Sequence, residues 1–562
     1  MKRKTSVLLS APFYIFNEST FGAGVENNCD PEEYYMNSIE YITAKILCQF
    51  SEEEKKHMKC ILTVTFLTGI LSYFLLMVDG YVCPDGLIEG QYYYFSEDWA
   101  LANGRWATRY LNLLIGHNVV MPSIVVLLYC LFLSISTFLI TKIFHINKTI
   151  HLVLISAFMI ASPVVIGQLT YTYMALCYVV AFLGSVSYCF LVRKKGKICW
   201  LSGILLLAIS LGLYQSYLGA AALLILLITI YDLLQGKSIK EAGIQLFQYG
   251  ITGALACVLD VIEFKAEIRL RHTFESDRSA AFDVKLIFTS LKESIRNAYV
   301  RFFDYFKDPM LDRNHFYTAL GICAFLLLFF LLIRLCRKQE YAKAGIVLLC
   351  IISIPAAANV IGIFIPYNDI VFLMRYHYVL VVPFLFALLE MTDFKNLRTI
   401  TEWILCLCVF ALVSSYVLSA NATFECFRIS YRIIEKQTDR IIDDIYELPE
   451  YMPNETTIIF AGFPSDSTAR EKIGIYDYAI ALPSNIAYWE DWNGILSCRI
   501  QYLRNYYGIE AGDLTKEEYK TVIDSKEFDN MPLWPQKGSV DMINGAVVVK
   551  LSEMPPLKGE AP

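Results

Sequence analysis

The stretch YYYFSEDWALANGRWATRYLNLLI, residues 92–115, lies between two apolar runs at residues 61–78 and 119–140. Acidic residues, arginines and tryptophans are concentrated in it: Glu97, Asp98, Trp99, Arg105, Trp106 and Arg109. Charged side chains beside a bilayer are energetically costly unless they are paired or functional. The stretch is therefore a candidate functional site, and the apolar runs around it decide the fold.

The composition is typical of a membrane protein. Of the 562 residues, 56% are hydrophobic and only 18% are charged, and the mean hydropathy is +0.46. A soluble domain rarely combines such apolar richness with so little charge, whereas a multi-span membrane protein does. The lipid bilayer is therefore an expected partner. The net charge of −6 gives no case for a nucleic-acid partner.

The cysteines and acidic residues do not form a metal-binding pattern. Most of the 16 cysteines lie inside apolar runs, and the sequence contains no CxxC pair and no paired histidines at metal-binding spacing. It also lacks a DxD motif and an EF-hand-like loop. We therefore predict neither a metal nor a cofactor.

Apolar segments recur along the chain at lengths close to the about 20 residues that a helix needs to cross a bilayer core. About eleven are predicted, near residues 60–78, 119–141, 150–168, 172–192, 198–213, 217–234, 243–262, 317–335, 344–365, 375–391 and 399–419. The block 198–234 admits two interpretations. It is either two spans hinged at residues 214–217 or one long kinked span.

Lysines and arginines in the short loops predict the orientation. They occur in alternate loops, at Lys55, Lys56, Lys59, Lys142, Lys148, Arg193, Lys194, Lys195, Lys197, Lys237, Lys240, Arg334, Arg337, Lys338, Lys343, Lys395 and Arg398. The other short loops, around 163–171 and 214–217, carry none. The basic loops and the N-terminus are therefore predicted to be cytoplasmic. The segments 79–118, 263–316 and 366–374 and the tail after Asn421 then lie on the outer face.

Three regions are predicted. Residues 1–59 form a cytoplasmic or interfacial arm, and residues 60–420 form the multi-span domain with large outer loops at 79–118 and 263–316. The second loop has the periodicity of an amphipathic helix. Residues 421–562 carry strand-like runs at 457–460 and 546–551 and a helix at 495–507. The fold class is thus an all-α polytopic membrane protein with a small extracytoplasmic α/β domain at its C-terminus.

Within the opening stretch, Ser96 suits the N-cap of a helix that continues to about residue 115. Asp98 and Arg105 would then share one helix face, roughly 10 Å apart. A carboxylate and a guanidinium in that arrangement suit a proton acceptor and a phosphate ligand. The alternative is that Glu97 and Asp98 only complement the positive end of the helix. Trp99 and Trp106 suit either sugar stacking or anchoring at the bilayer surface.

These residues also carry a resemblance. The long outer loop with Glu97, Asp98 and the GRW run at 104–106 is followed by the YQSY break at 214–217 and by Arg375-Tyr376 ahead of Pro383. In order and topology, over about residues 60–420, this resembles the bacterial glucosyltransferase-II-type membrane family. Its members are O-antigen-modifying glucosyltransferases of the GT-C superfamily.

The resemblance implies a reaction and a location. It implies transfer of a sugar, expected to be glucose, from a polyprenyl-phosphate donor to a cell-surface glycan on the outer face of the bacterial cytoplasmic membrane. Asp98 would be the catalytic base and Arg105 the phosphate ligand, and the further candidate acids are Asp79 and Glu97. The further candidate substrate-binding residues are Trp106, Arg109, Arg375 and Tyr376. Arg375 suits a phosphate ligand or an ion pair with Asp369 equally well.

A lipid-linked sugar flippase, or a polysaccharide exporter or polymerase, is the alternative function. A carrier would place charges or broken helices deep in its spans, at corresponding positions of two halves. In this chain the charges instead gather near one face, around residues 79–109, 263–316 and 366–375. The distribution favours an enzyme that works at the membrane boundary.

Overall fold

A computed structural model describes residues 50–81, 83, 86, 97–115, 121–194, 196–276, 284–308, 311–312, 314–365, 371–392, 395–462, 474–480, 492–511 and 516–552. The chain divides into two compact units, Met1–Lys55 and Lys56–Pro562. In the first unit, Ser51 and Glu54 cap the start of a helix through reciprocal hydrogen bonds of 2.7 and 3.2 Å. The rest of the predicted N-terminal arm, residues 1–49, lies outside the described residues.

The described part of the second unit is mainly helical. Its helices, with the first one starting in the first unit, are α1 (Glu52–Asp79), α2 (Glu97–Ala102), α3 (Thr108–Ile115), α4 (Pro122–Ile143), α5 (Thr149–Ala161), α6 (Pro163–Thr170), α7 (Thr172–Arg193), α8 (Lys197–Leu213), α9 (Leu218–Leu234), α10 (Ile239–Arg271), α11 (Val284–Lys307), α12 (Phe316–Arg337), α13 (Tyr341–Ala358), α14 (Val360–Phe364), α15 (Val381–Glu390), α16 (Lys395–Tyr446), α17 (Trp492–Tyr507), α18 (Lys516–Ile523) and α19 (Lys526–Asn530). Short 3₁₀ helices lie at Gln215–Tyr217, Phe372–Leu380 and Gly474–Tyr478.

Ten helical segments of the described chain are long and apolar enough to cross a membrane. They are formed by α1, α4, α5 with α6, α7, the first 3₁₀ helix with α9, α10, α12, α13, the second 3₁₀ helix with α15, and α16. This confirms the predicted polytopic, mainly α-helical fold. Helix α8 is a shorter apolar helix of 17 residues and corresponds to the remaining predicted span.

The packing of α8 shows how the block 198–234 folds. Gly184 of α7 lies against Ser210, near the end of α8, whereas Gly203, nearer its start, lies against Val192. Helices α7 and α8 are therefore antiparallel and in close contact, because glycine leaves room for the facing backbone.

Helix α9 runs in the opposite direction to α8. Ser185 Oγ donates to the carbonyl of Tyr217 at 3.0 Å, and Arg193 pairs with Asp232 at 2.7 Å, so α9 is parallel to α7. Helices α8 and α9 thus traverse the structure in opposite directions. The interpretation as two segments hinged at residues 214–217 is confirmed, and the single kinked span is wrong.

The predicted cytoplasmic loops gather at one end of the helices, which we call the basic end. Arg193 Nη1 donates to the carbonyl of Ile143 at 3.1 Å, and Lys343 Nζ donates to that of Gly236 at 3.4 Å. These contacts join the loops after α4, α7, α9 and α12. Their common position agrees with the alternation of basic loops, although the side of the membrane on which they lie stays a prediction.

At the basic end, His151 connects α5 to α15 and α16. His151 is fully buried, with Nδ1 2.7 Å from Glu390 and Nε2 3.0 Å from Glu402. Lys148 also binds Glu402. These contacts tie α5 to α15 and α16.

Two helices differ from their predicted extents. Helix α10 continues to Arg271, nine residues beyond the predicted span end at residue 262. Helix α16 has 52 residues, roughly 78 Å, and passes without a break through the predicted boundary at 421. The amphipathic helix predicted within 263–316 is α11, whose Phe302 is buried and whose Phe288 is 73% exposed.

The C-terminal region contains the small sheet that the sequence predicts. Its strands are β1 (Ile458–Ala461), β2 (Val540–Ile543) and β3 (Ala546–Lys550), in the order β1-β3-β2, with β1 parallel and β2 antiparallel to β3. The end of α16 and α17 cover one face, and α18 and α19 cover the other. Strand β2 was missing from the sequence prediction, whereas the predicted helix at 495–507 is part of α17.

Candidate functional site

The opening stretch does not form the single helix that was predicted. Helix α2 ends at Ala102 and α3 begins at Thr108, with a turn at residues 103–107 between them. Gly104 sits in the turn with φ of +80°, a conformation that glycine adopts without strain. A side chain at 104 would also meet Gln215 at 2.4 Å. The predicted alignment of Asp98 and Arg105 on one helix face is therefore wrong.

Hydrogen bonds attach this turn to the helix break at residues 214–217. The amide of Ala107 donates to the carbonyl of Gly212 at 2.9 Å, and Gln215 Nε2 donates to the carbonyl of Asn103 at 3.2 Å. On the other side, the amide of Ser276 donates to the carbonyl of Ala102 at 3.0 Å. The GRW run and the YQSY break are thus one local structure.

Arg105 points from the turn into a group of tyrosines. Its guanidinium carbon lies 5.3 Å from the centre of the Tyr214 ring, and Tyr173 and Tyr178 are also among its electrostatic neighbours. Arg105 Nε is buried and has no hydrogen-bond partner within the described residues. A buried N–H without an acceptor is unusual in a folded protein. An anionic oxygen placed here would supply one.

The helix break also holds the segment that carries Arg375. Ser216 Oγ donates to the carbonyl of Met374 at 3.0 Å, and Gln168 Nε2 donates both to Tyr217 and to the carbonyl of Leu373. Arg375 itself is half-buried. The structure therefore places Arg105 and Arg375 on two segments attached to the same break. Asp369, the alternative partner of Arg375, lies outside the described residues.

Tyr376 faces the interior. Its side chain is fully buried, its hydroxyl donates to the carbonyl of Met159 at 3.0 Å, and its ring centre is 4.9 Å from that of Phe182. These contacts stabilise the packing beneath Arg375. A direct contact between Tyr376 and substrate stays a prediction.

Helix α10 holds the opening stretch through three side chains that sequence reasoning missed. Arg271 Nη2 lies 2.7 Å from Asp98 Oδ1, Glu267 accepts from the hydroxyl of Tyr110, and Asp260 Oδ1 accepts from Trp106 Nε1 at 2.8 Å. Asp260, Glu267 and Arg271 follow one another at spacings of seven and four residues, so they share one face of α10. Asp260 is the only charged residue in the predicted span 243–262, and that signal was available in the sequence.

Several side chains of the opening stretch are exposed. Asp98 is 67% exposed despite its pairing with Arg271, and Arg109 is exposed on α3. The Trp99 side chain is 45% exposed. Glu97 begins α2, but its side chain lies outside the described part of the chain.

Asp79 belongs to a different group. Its carboxylate accepts from the hydroxyl of Tyr81, which packs against Phe424 and Phe427 of α16. Burial and the bond to Asp79 raise the pKa of Tyr81 above its usual value. Among the described residues, no contact joins Asp79 to Arg105. The structure therefore attaches the turn that carries Arg105 and the Arg375 segment to one helix break. It pairs Asp98 with α10 and leaves Asp79 beside α16.

The described residues contain no cluster of metal-binding side chains. Over the described residues, no three His, Cys, Asp or Glu side chains are placed to hold a metal ion. The prediction that no cofactor is needed remains untested.

A substitution at Gly212 tests how tightly the turn is held. A side-chain carbon at this position would lie 2.3 Å from the Trp106 ring. We expect Gly212→Val to lower the free energy of unfolding by about 1–3 kcal/mol, because the rigid indole cannot move aside without shifting the turn. Thermal unfolding of the purified protein measures the effect. Gly250→Val on α10 is the matched control, since Gly250 has nothing within 4 Å. Equal stability of the two variants would contradict the close packing at Gly212.

Comparison with known protein families identifies the family of this chain. The family described as glucosyl transferase GtrII matches residues 88–388, which include the turn, the helix break and the Arg375 segment. Comparison with the curated proteins and with the solved structures found no match. Because the match covers more than half of the chain, the protein belongs to the glucosyl transferase GtrII family, and it is a multi-pass membrane glycosyltransferase.

Proposed function

We propose that this protein transfers glucose from a polyprenyl-phosphate donor to a cell-surface glycan. One observation carries the proposal: the turn with Arg105 and the segment with Arg375 are both attached to the helix break at residues 214–217. Two arginines on neighbouring segments are suited to one anionic group. The buried Arg105 Nε, which lacks a partner within the described residues, provides a donor for it.

The chemistry of a lipid-linked sugar fits this position. When the sugar leaves, negative charge grows on the phosphate that stays on the polyprenyl chain. A guanidinium stabilises that charge well because it is always protonated and presents its N–H groups in a fixed fork. In the proposal Arg105 is the main phosphate ligand, and Arg375 is the second.

The acceptor hydroxyl needs a group that removes its proton. We assign this role to Asp98, which lies in α2 just before the turn and is exposed enough for a glycan to reach. Its ion pair with Arg271 would hold the carboxylate in place. Glu97 and Asp79 are the alternative bases. Asp79 is the less favoured of the two because its described contact is with Tyr81, which packs against α16.

The remaining candidates have supporting roles in this proposal. Arg109 is an exposed second contact for the substrate on α3. Trp106 packs between α8 and α10, and Tyr376 packs beneath Arg375, so both contribute by holding the arginines in position.

The proposed location follows from the alternation of basic loops. If the basic end faces the bacterial cytoplasm, the helix break and the C-terminal domain lie on the outer side of the cytoplasmic membrane. The acceptor would then be a surface polysaccharide such as O-antigen.

Reconstitution in liposomes tests the proposal. We expect the purified protein to transfer labelled glucose from a polyprenyl-phosphate glucose in the bilayer to an added surface polysaccharide. A carrier would instead move the labelled lipid between leaflets without transfer, which a membrane-impermeant reagent that cleaves the outer-leaflet lipid detects. Movement without transfer would contradict the proposal and support the flippase.

A further inference from the structure

The contact between Asp260 and Trp106 has no direct part in the proposed reaction, yet it lies next to Arg105. Asp260 is eleven residues before the end of α10 at Arg271, roughly 16 Å along the helix. Its neighbours along α10 in this region are largely apolar and exposed, with Val258, Val261 and Ile262 between 54% and 57% exposed. A carboxylate placed at such a level of a membrane-spanning helix needs a compensating partner.

The partner is the indole of Trp106. Asp260 Oδ1 accepts from Trp106 Nε1 at 2.8 Å, and both side chains are partly buried. The bond satisfies two polar groups that burial would otherwise leave without a partner. This single bond therefore fixes the edge of the indole that faces α10.

Helix α8 packs against the same N–H edge of the indole. The Trp106 ring lies so close to Gly212 that a side-chain carbon there would be 2.3 Å away, and the next amide, that of Ala107, donates to the carbonyl of Gly212. The N–H edge of the ring is therefore held both by α8 and by Asp260. Since Arg105 is the adjacent residue, any movement of the indole also moves the start of its side chain.

We propose that Asp260 is a positioning residue, which acts through the Trp106 indole to hold the turn at residues 103–107 so that Arg105 meets the donor phosphate. The inference rests on the proposed function for the role of Arg105, but the positioning of the turn does not depend on which donor is used.

Kinetics of four variants test the inference. Asp260→Leu removes the acceptor and Trp106→Phe removes the donor, and each is expected to lower kcat/KM for polyprenyl-phosphate glucose about 100-fold. Asp260→Asn keeps an acceptor oxygen and should lose much less. The double variant Asp260→Leu with Trp106→Phe should be no worse than either single variant, because both act through one bond. If the two losses multiply, the side chains act independently of their bond, and the inference is overturned.

Glu263→Gln is the matched control for the loss of a negative charge. Glu263 lies on the same helix, and within the described chain its carboxylate makes no hydrogen bond to the turn. Its kcat/KM should stay close to that of the unchanged protein. A comparable loss in Glu263→Gln would assign the effect to helix charge and overturn the inference.

Hydrogen–deuterium exchange gives a readout that needs no donor. In Asp260→Leu the amides of residues 103–107 should exchange at least tenfold faster, whereas the amides of α7 should not change and Asp260→Asn should keep its protection. Unchanged exchange at 103–107 in Asp260→Leu would overturn the inference, as would faster exchange with full kcat/KM. Faster exchange in a protein that does not use polyprenyl-phosphate glucose at all would retain the positioning role and reject the proposed donor.

Discussion

Replacing Arg105 by alanine is expected to lower kcat for glucose transfer by about 100-fold or more. The reason is that the guanidinium would meet the phosphate where negative charge develops, and removal of one such preorganised donor typically costs about 10²–10³ in rate. Arg105→Lys should recover part of the loss, because it restores the charge but not the planar fork. The measurement is transfer of labelled glucose by purified variants in liposomes.

The control for this experiment is Arg269→Ala. Arg269 is exposed near the end of α10, on the same side of the molecule as the turn, and has no proposed role. It should transfer at nearly the normal rate. Transfer by Arg105→Ala at the same rate as the control would remove Arg105 from the phosphate site.

Replacing Asp98 by asparagine is the second large effect that we expect. Asparagine has nearly the same shape and can still accept the hydrogen bond from Arg271, but it cannot take a proton from the acceptor hydroxyl. The expected fall in kcat is about 10²–10⁴-fold, the usual contribution of a general base. The variant should fold normally, since the exposed ion pair with Arg271 contributes about 1 kcal/mol at most.

Glu97→Gln and Asp79→Asn decide between the three candidate acids. Each should transfer more than tenfold faster than Asp98→Asn if Asp98 is the base. A well-folded Asp98→Asn that transfers normally, together with an inactive Glu97→Gln or Asp79→Asn, would move the role to that other residue.

The positions of most membrane-spanning helices were predictable, because the length of an apolar run is a strong and local signal. Segments such as 119–141 and 172–192 correspond closely to α4 and α7. The break at residues 214–217 was visible because the polar residues Gln215 and Ser216 interrupt an apolar block. Their hydrogen bonds explain why they are there: Gln215 holds the turn at 103–107, and Ser216 holds the Arg375 segment.

The arrangement inside the site was less predictable. The sequence of 92–115 has the periodicity of one helix, and Gly104 alone does not say whether the helix ends there. Gly104 lies against Gln215, more than a hundred residues away in sequence, and this contact favours a turn over a continuous helix. Tertiary contact thus overrode a local helical preference, and it placed Arg105 beside the Tyr214 ring.

The role of α10 was missed for a similar reason. The sequence predicts a span that ends near residue 262, which places Glu267 and Arg271 in a loop and gives Asp260 no role. In the structure the helix continues, and its face meets Trp106, Tyr110 and Asp98. The partners of these charges are 150 or more residues away in sequence, and no periodicity within either segment identifies them.

Photo-crosslinking with a donor analogue tests the central claim most directly. A polyprenyl phosphate that carries a photoreactive group beside the phosphate would be activated on the purified protein in liposomes, and the labelled peptides would be identified by mass spectrometry. We expect label on residues 103–107, on 214–217 and on 372–376, with competition by unlabelled polyprenyl phosphate and loss of label in Arg105→Ala. Competed labelling confined to the basic end around His151, or to the group around Asp79 and Tyr81, would contradict a phosphate site at the helix break.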